Sequence, residues 1–152
     1  MGISEPLSSD TRSFPGTYAN LASIGQFVRA EAKQAGLDDA AVYQVEMAVD
    51  EACSNIIEHA YNGEGKGKID CTCRCETDRL VIVLTDAGKS FDPEQVQLPD
   101  LQAPLENRES HGLGLFFIRE WMDKVDYQAR SGGGNLLTLV KYRGSKKTGQ
   151  KK

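Results

Sequence analysis

The chain has 152 residues, 39% of them hydrophobic and 26% charged, which fits one ordinary domain around a single core and requires no second one. A formal charge of −4 and a pI near 5.2 exclude a global basic field for nucleic acid or an anionic membrane, although the tail Lys146–Lys152 is locally basic. No stretch is long and apolar enough to span a bilayer, and Met1–Asp10 lacks the positive start and apolar centre of a secretory signal, so a cytoplasmic location is expected.

Residues 1–11 read as a flexible N-terminus, 12–143 as the folded domain and 144–152 as a solvated basic tail. Arg12–Pro15 is a short extended piece, because Pro15 disfavours helix in the residue before it. A helix follows from about Thr17 or Asn20 to Ala35, with Leu21, Ile24, Phe27 and Val28 on one face and Gly36 at its end. The next helix starts after the N-cap Asp38 and runs to about Ala60. Its apolar stripe is Val42, Val45, Val49, Ala52 and Ile56. The glycine-rich segment Asn62–Gly67 breaks it.

Lys68–Cys75 and Arg79–Thr85 read as paired strands joined by Glu76–Asp78, an antiparallel hairpin. In the first of them Ile69, Cys71, Cys73 and Cys75 share one face and Asp70, Thr72, Arg74 and Glu76 the other. The sulfurs therefore read as small core hydrophobes, and the paired C-x₂₋₄-C spacing of zinc sites is absent. From Asp86 to His111 there is no periodicity, and Pro93, Pro99 and Pro104 interrupt the stretch; connections of that length inside a domain are often functional lids. A helix over Leu113–Met122 comes next, with Leu115, Phe116, Ile118 and Trp121 spaced for burial. Strands over Lys124–Ala129 and Asn135–Tyr142 follow around Ser131–Gly134. The pattern is α+β, with helices on one face of a mixed, mainly antiparallel sheet.

Three segments carry the chemistry. On the second helix Glu51, Asn55 and His59 stand four residues apart, one polar line beside the apolar stripe, where a carboxylate and a carboxamide one turn apart can handle a proton and a hard cation. An isolated pair of this kind would be an ordinary solvated helix face. Asp86 ends a strand where the chain turns at Gly88. A carboxylate there suits an exocyclic amine such as adenine offers, or merely forms the turn. Gly112 and Gly114 precede an apolar helix, where backbone N–H groups and the dipole favour phosphates. They belong to neither a Walker A loop nor a Rossmann fingerprint. The order of the three suggests a nucleotide site.

The runs Glu46–Tyr61, Asp86–Pro93 and His111–Leu115 resemble the nucleotide-binding signatures of the GHKL ATPases, and within them most closely the bacterial anti-sigma-factor serine kinases of partner-switching systems. The resemblance covers roughly Phe14–Lys141. It implies a two-layer Bergerat-type α/β sandwich, an ATP-binding kinase domain over 12–143, with ATP and Mg²⁺ between the second helix, the Asp86 turn and a lid. By position, Asn55 would ligate Mg²⁺ and Glu51 would act as base for an incoming serine or threonine hydroxyl. Asp86 would bind the adenine amine, with Gly88 allowing close approach and Thr138 assisting. Gly112, Leu113, Gly114 and Leu115 would cradle phosphates, with Arg108 reaching the γ-phosphate. Ser90 stands where that family often has another glycine, and Ser110 and His111 stand where its lid often has arginine.

The resemblance further implies that the chain sequesters a sigma factor and phosphorylates a small anti-sigma antagonist, and that it forms homodimers, with no direct nucleic-acid or membrane contact. Three other readings compete, the plainest being an acidic scaffold with an accidental motif trio, which predicts no nucleotide binding. Another is a nucleotide-dependent regulatory binding module of the same fold without phosphotransfer, which an intact Glu51 opposes. The third is the catalytic domain of a histidine kinase, whose dimerising helices would need more room than the stretch before Phe14 gives.

Overall fold

The computed structural model describes residues 7–92 and 114–144. They form a five-stranded sheet carrying a layer of helices. In chain order the elements are β1 (Ser8–Pro15), a 3₁₀ turn (Tyr18–Asn20), α1 (Leu21–Gln34), α2 (Asp39–Asn55) continuing as a π-helical turn (Ile56–Ala60), β2 (Lys68–Cys75), β3 (Arg79–Asp86), α3 (Gly114–Trp121), β4 (Lys124–Ala129) and β5 (Asn135–Tyr142). The strand order is β1-β2-β3-β5-β4, and every pairing is antiparallel.

Local chemistry accounts for most of the boundaries. Asp38 caps α2 as its spacing predicts, its carboxylate accepting the N–H of Ala41 at 2.9 Å, an interaction worth about 1 kcal/mol at such a position. Gly36, at φ +87°, ends the first helical segment in the left-handed conformation that glycine adopts without strain. The apolar stripe of α2 is buried from Val42 to Ile56, and Ile24, Phe27 and Val28 of α1 pack in the same core. From the sheet, the core takes Ile69, Cys71, Cys73 and Cys75 of β2, Leu80, Ile82 and Leu84 of β3, and Leu137 and Leu139 of β5. The four cysteines are buried free thiols, as the alternation predicts. Cys73, against Cys71, and Cys53, through burial, are held far above the ordinary thiol range and stay protonated and inert.

Three details depart from the sequence pattern. Strand β1 begins at Ser8, taking in residues that carry no apolar period; it pairs along its whole length with β2, as Asp10 does with Cys73 and Phe14 with Ile69. Edge pairing needs only backbone N–H and C=O groups, so side-chain alternation leaves it invisible. Ile118 of α3 and Met122 just beyond it are buried, whereas Phe116, spaced for burial, is 49% exposed and stacks edge-on with Phe117. Finally, the second helix widens after Asn55 into the π turn, where the Tyr61 N–H reaches back five residues to the Ile56 carbonyl at 3.0 Å.

The end of α3 is fastened to three consecutive residues of β5. The fully buried Lys141 ammonium donates to the Trp121 carbonyl at 2.5 Å, the Asp123 N–H donates to the Val140 carbonyl at 2.9 Å, and the Tyr142 N–H donates to the Asp123 carboxylate at 2.7 Å. A cation on a helix C-terminal carbonyl satisfies an orphan acceptor and opposes the dipole. Among the described residues no helix is long and apolar enough to cross a membrane.

Candidate functional site

At one end of the sheet, where β3 finishes and β5 begins, lies a pocket between the sheet and α2. It is lined by Ala52, Asn55 and Ile56 from the helical layer, Leu84 and Asp86 from β3, Leu137 and Asn135 from β5, and Phe91, Ile118 and Tyr127 at its sides. Its free space is about 20 Å³, room for about one water. Apart from Asp86, Asn55 and Asn135, with the Tyr127 hydroxyl at the edge, the walls are apolar.

Asp86 is 3% exposed, and its surroundings explain how a carboxylate is tolerated there. Its Oδ1 accepts the Gly88 N–H at 2.9 Å and the Asn135 amide at 3.0 Å, and the same amide lies 3.3 Å from Oδ2. Burial pushes the carboxyl above its ordinary value, while the Gly88 N–H, the Asn135 amide and the Arg130 charge work in the opposite direction. Arg130 donates to the Asp86 carbonyl at 2.8 Å. The turn is also close-packed. A Cβ on Gly88 would lie 2.6 Å from the Ala60 carbonyl oxygen, and the next N–H, of Lys89, donates to that same carbonyl at 2.8 Å. Gly88 thus permits close approach of the π turn. A Cβ on Gly134, at φ +110°, would lie 2.2 Å from the Asp86 carbonyl oxygen, so that position excludes any side chain.

Across the pocket stands Asn55, 4% exposed, whose Oδ1 is buried with no hydrogen-bond partner among the described residues. An orphaned amide oxygen in native protein calls for an explanation, and a hard cation is one that fits its chemistry. Glu51 lies half-buried one turn earlier on α2. The polar line continues as expected from Glu51 to Asn55; the wider π turn then carries His59 beside Phe91, ring centroids 5.6 Å apart. Phe91 is in turn 6.2 Å from the Tyr127 ring.

Tyr61 ties the helical layer to this end of the sheet. Its hydroxyl donates to the Lys68 carbonyl at 2.6 Å and accepts the Ala87 N–H at 3.0 Å. Its ring occupies space that a side chain on Gly67 would need, since a Cβ there would lie 2.3 Å away.

The structure therefore brings Asn55 and Asp86 to one pocket, with Glu51 a turn away on the same helix. Thr138 requires correction. Strand alternation sends it to the helix-free face, in register with Val83 and Asp126, while Leu137 and Leu139 enter the core. The β5 residue that meets Asp86 is Asn135, directly opposite it in the ladder. Asn135 was legible only as the residue after the last glycine of the Ser131–Gly134 turn, Phe91 only as part of the Asp86–Pro93 run, and Tyr127 gave no signal beyond being aromatic. Arg108, Gly112 and Leu113, with the part of the expected lid segment beyond Asp92, lie outside the described residues. Gly114 and Leu115 open α3.

The sequence family described as the histidine kinase-like ATPase domain matches residues 14–141. The chain belongs to that family. It is 35% identical over 106 residues to the serine-protein kinase RsbW of Bacillus velezensis, an alignment that covers 66% of this chain and 64% of that relative. The chain thus spans less than two thirds of the length of the curated relatives it matches. Among solved structures, the RsbU and RsbW domains of a Mycobacterium tuberculosis protein superpose with a TM-score of 0.62 at 16% identity, covering 91% of this chain and 33% of that one. The catalytic domain of the histidine kinase ThkA gives 0.51 at 15% identity, covering 88% and 98%. Both establish the fold, and the two-layer arrangement with its antiparallel sheet agrees with the architecture expected for this histidine kinase-like ATPase domain.

Proposed function

We propose that the chain is an ATP-dependent serine/threonine protein kinase of the anti-sigma-factor type, which sequesters a sigma factor and phosphorylates a small antagonist of that sequestration. The observation that carries the nucleotide reading is the pairing of Asp86 and Asn55 across one apolar pocket: a buried carboxyl whose Oδ1 accepts two N–H groups, and a buried amide oxygen with no donor among the described residues. The first suits the exocyclic amine of adenine, the second a magnesium ion. The relationship to RsbW supports the protein-kinase reading.

Asn55 would hold the magnesium through Oδ1, and the ion, when bound, supplies charge neutralisation to the phosphates. Leu84, Leu137, Ile56 and Ala52 would grip the faces of the base and exclude water. A purine is far larger than the present free space, so Phe91 moves aside as the base enters. Glu51 would accept the proton of the attacking hydroxyl, in line with the transferred phosphorus. The lid residues Arg108, Gly112 and Leu113 and the start of α3 at Gly114 and Leu115 would surround the phosphates. Homodimerisation and the two protein partners belong to the same proposal.

Calorimetric titration with ATP, with and without Mg²⁺, tests the site. Wild-type protein should bind in a metal-dependent way, Asn55→Ala should lose that dependence, and Cys73→Ala should keep it. Glu51→Ala should retain binding while transfer to a serine substrate falls by roughly 10²–10⁴-fold. Transfer undiminished in Glu51→Ala would remove the base assignment, and equal binding losses in folded Asn55→Ala and Cys73→Ala would remove the metal assignment.

A further inference from the structure

We infer that Asn135 is the positioning residue that makes the base pocket selective for a purine with a C6 amine, by holding the Asp86 carboxylate as an acceptor and leaving its Oδ2 for the ligand. The inference rests on the nucleotide reading above and extends it to a residue outside the Glu51–Asn55, Asp86–Gly88 and Gly112–Leu115 segments.

The hydrogen bonds of Asn135 admit one orientation of its amide. Its Nδ2 donates to Asp86 Oδ1 at 3.0 Å and to the Lys89 carbonyl at 3.1 Å, and lies 3.3 Å from Asp86 Oδ2. Its Oδ1 accepts the Phe91 N–H at 3.1 Å and the Tyr127 hydroxyl. Turning the amide over would set its NH₂ against the Phe91 N–H and its oxygen against the carboxylate, two donors together and two acceptors together. The Phe91 N–H cannot reverse its polarity, so the orientation is fixed. Both donor hydrogens and both acceptor lone pairs of Asn135 are then engaged by protein, which leaves none for a ligand. Asn135 acts through Asp86.

The consequence falls on Asp86. Oδ1 already receives two donors, the Gly88 N–H and the Asn135 amide, while among the described residues the side-chain contact to Oδ2 is the longer one at 3.3 Å, with the Asn135 backbone N–H also favouring the ionised carboxylate. A ligand that donates an N–H to Oδ2 completes the carboxylate. One that presents a carbonyl there sets acceptor against acceptor in a buried site, with a loss larger than that of the missing hydrogen bond alone. The charged and titratable groups around Asp86 are Arg130 and Tyr127 from the β4 side, with Asp92 beyond Tyr127; the helical layer presents neutral Asn55, and His59 lies behind Phe91.

ATP and inosine triphosphate differ at this point, the second carrying a carbonyl where the first has the amine, so their binding by calorimetry reads the inference. Wild-type protein should prefer ATP by about ten-fold or more. In Asn135→Leu the preference should fall towards one, chiefly through weaker ATP binding. Asn135→Asp provides the decisive arm should the leucine variant not fold. It sets two carboxyls in contact, which share a proton at low pH and repel when both ionise. Its preference for ATP should recover as pH is lowered from 8 to 6, whereas wild-type preference should hold or weaken over the same range. A folded Asn135→Leu that keeps the full preference, or an Asn135→Asp that keeps it at pH 8, overturns the inference. So does wild-type protein that binds both nucleotides equally; wild-type protein that binds neither removes instead the nucleotide reading on which the inference rests.

Discussion

Strands β2 and β3 have two ends, and the same kinds of side chain do different work at each. At the hairpin end Arg79 pairs with Asp78 at 2.8 Å and Arg74 with Glu76 at 3.5 Å, each side chain at least partly exposed. At the other end Asp86 sits 3% exposed, its carboxylate accepting the Asn135 amide and the Gly88 N–H and its backbone carbonyl accepting Arg130. Water screens the first set, so their loss changes little. It is excluded from the second, so each hydrogen bond there carries the cost of leaving its partner unsatisfied. Opposite charges decorate one end of the sheet. At the other end a single carboxylate is buried and satisfied by the hydrogen bonds around it.

Substitutions can break that contrast. The largest effect should come from Gly134→Ala, which adds both left-handed backbone strain and a contact 2.2 Å from the Asp86 carbonyl. A loss of roughly 3 kcal/mol or more is expected by denaturant unfolding. Gly132→Ala, at φ +87° in the same turn but with open space around it, should lose only about 1 kcal/mol. Comparable losses in the two would mean that contact with the Asp86 turn is irrelevant.

Asp86→Asn should have an intermediate effect of mixed sign. Because burial raises the Asp86 pKa in the folded protein, the fold binds that proton more tightly than the unfolded chain does. Its contribution is therefore full below the ordinary Asp value of 3.8 and is lost as pH rises through the higher folded value. The Tm of Asp86→Asn relative to wild type should thus climb as pH is raised from 4 to 7, while ATP binding falls. A Tm difference that shrinks over that range would reverse the assigned direction. The smallest effect belongs to Asp78→Ala at the hairpin, where no change in Tm is expected beyond measurement error. A clear loss there would erase the distinction between the two ends.

What the sequence discloses follows the same division. Period-based signals predict α2, the β2–β3 hairpin and the β4–β5 pair well, because each buries one apolar face and burial is what hydrophobic spacing records. Ser8–Thr11 joins the sheet through the backbone ladder and one hydroxyl contact, Thr11 to Thr72 at 2.8 Å, and its side chains carry no apolar period. At the site, Asn55 and Asp86 could be named from local context, one on a helix face and the other at a strand end. Thr138 could not be distinguished from Asn135 that way. Which of them meets Asp86 depends on the register between β3 and β5, a tertiary fact that a strand pattern leaves open by one residue or three. The π turn was equally hidden. Its effect is to move His59 off the line that ordinary helical spacing gives, and neither Ile57 nor Glu58 breaks the pattern that precedes them.

Trp121 is the only tryptophan in the sequence, and its carbonyl is the one that Lys141 holds at the end of α3, with its ring stacked on Phe117 at 5.2 Å. The tryptophan fluorescence of this protein is therefore a single-site optical reporter of how firmly the last turn of α3 is seated on the sheet.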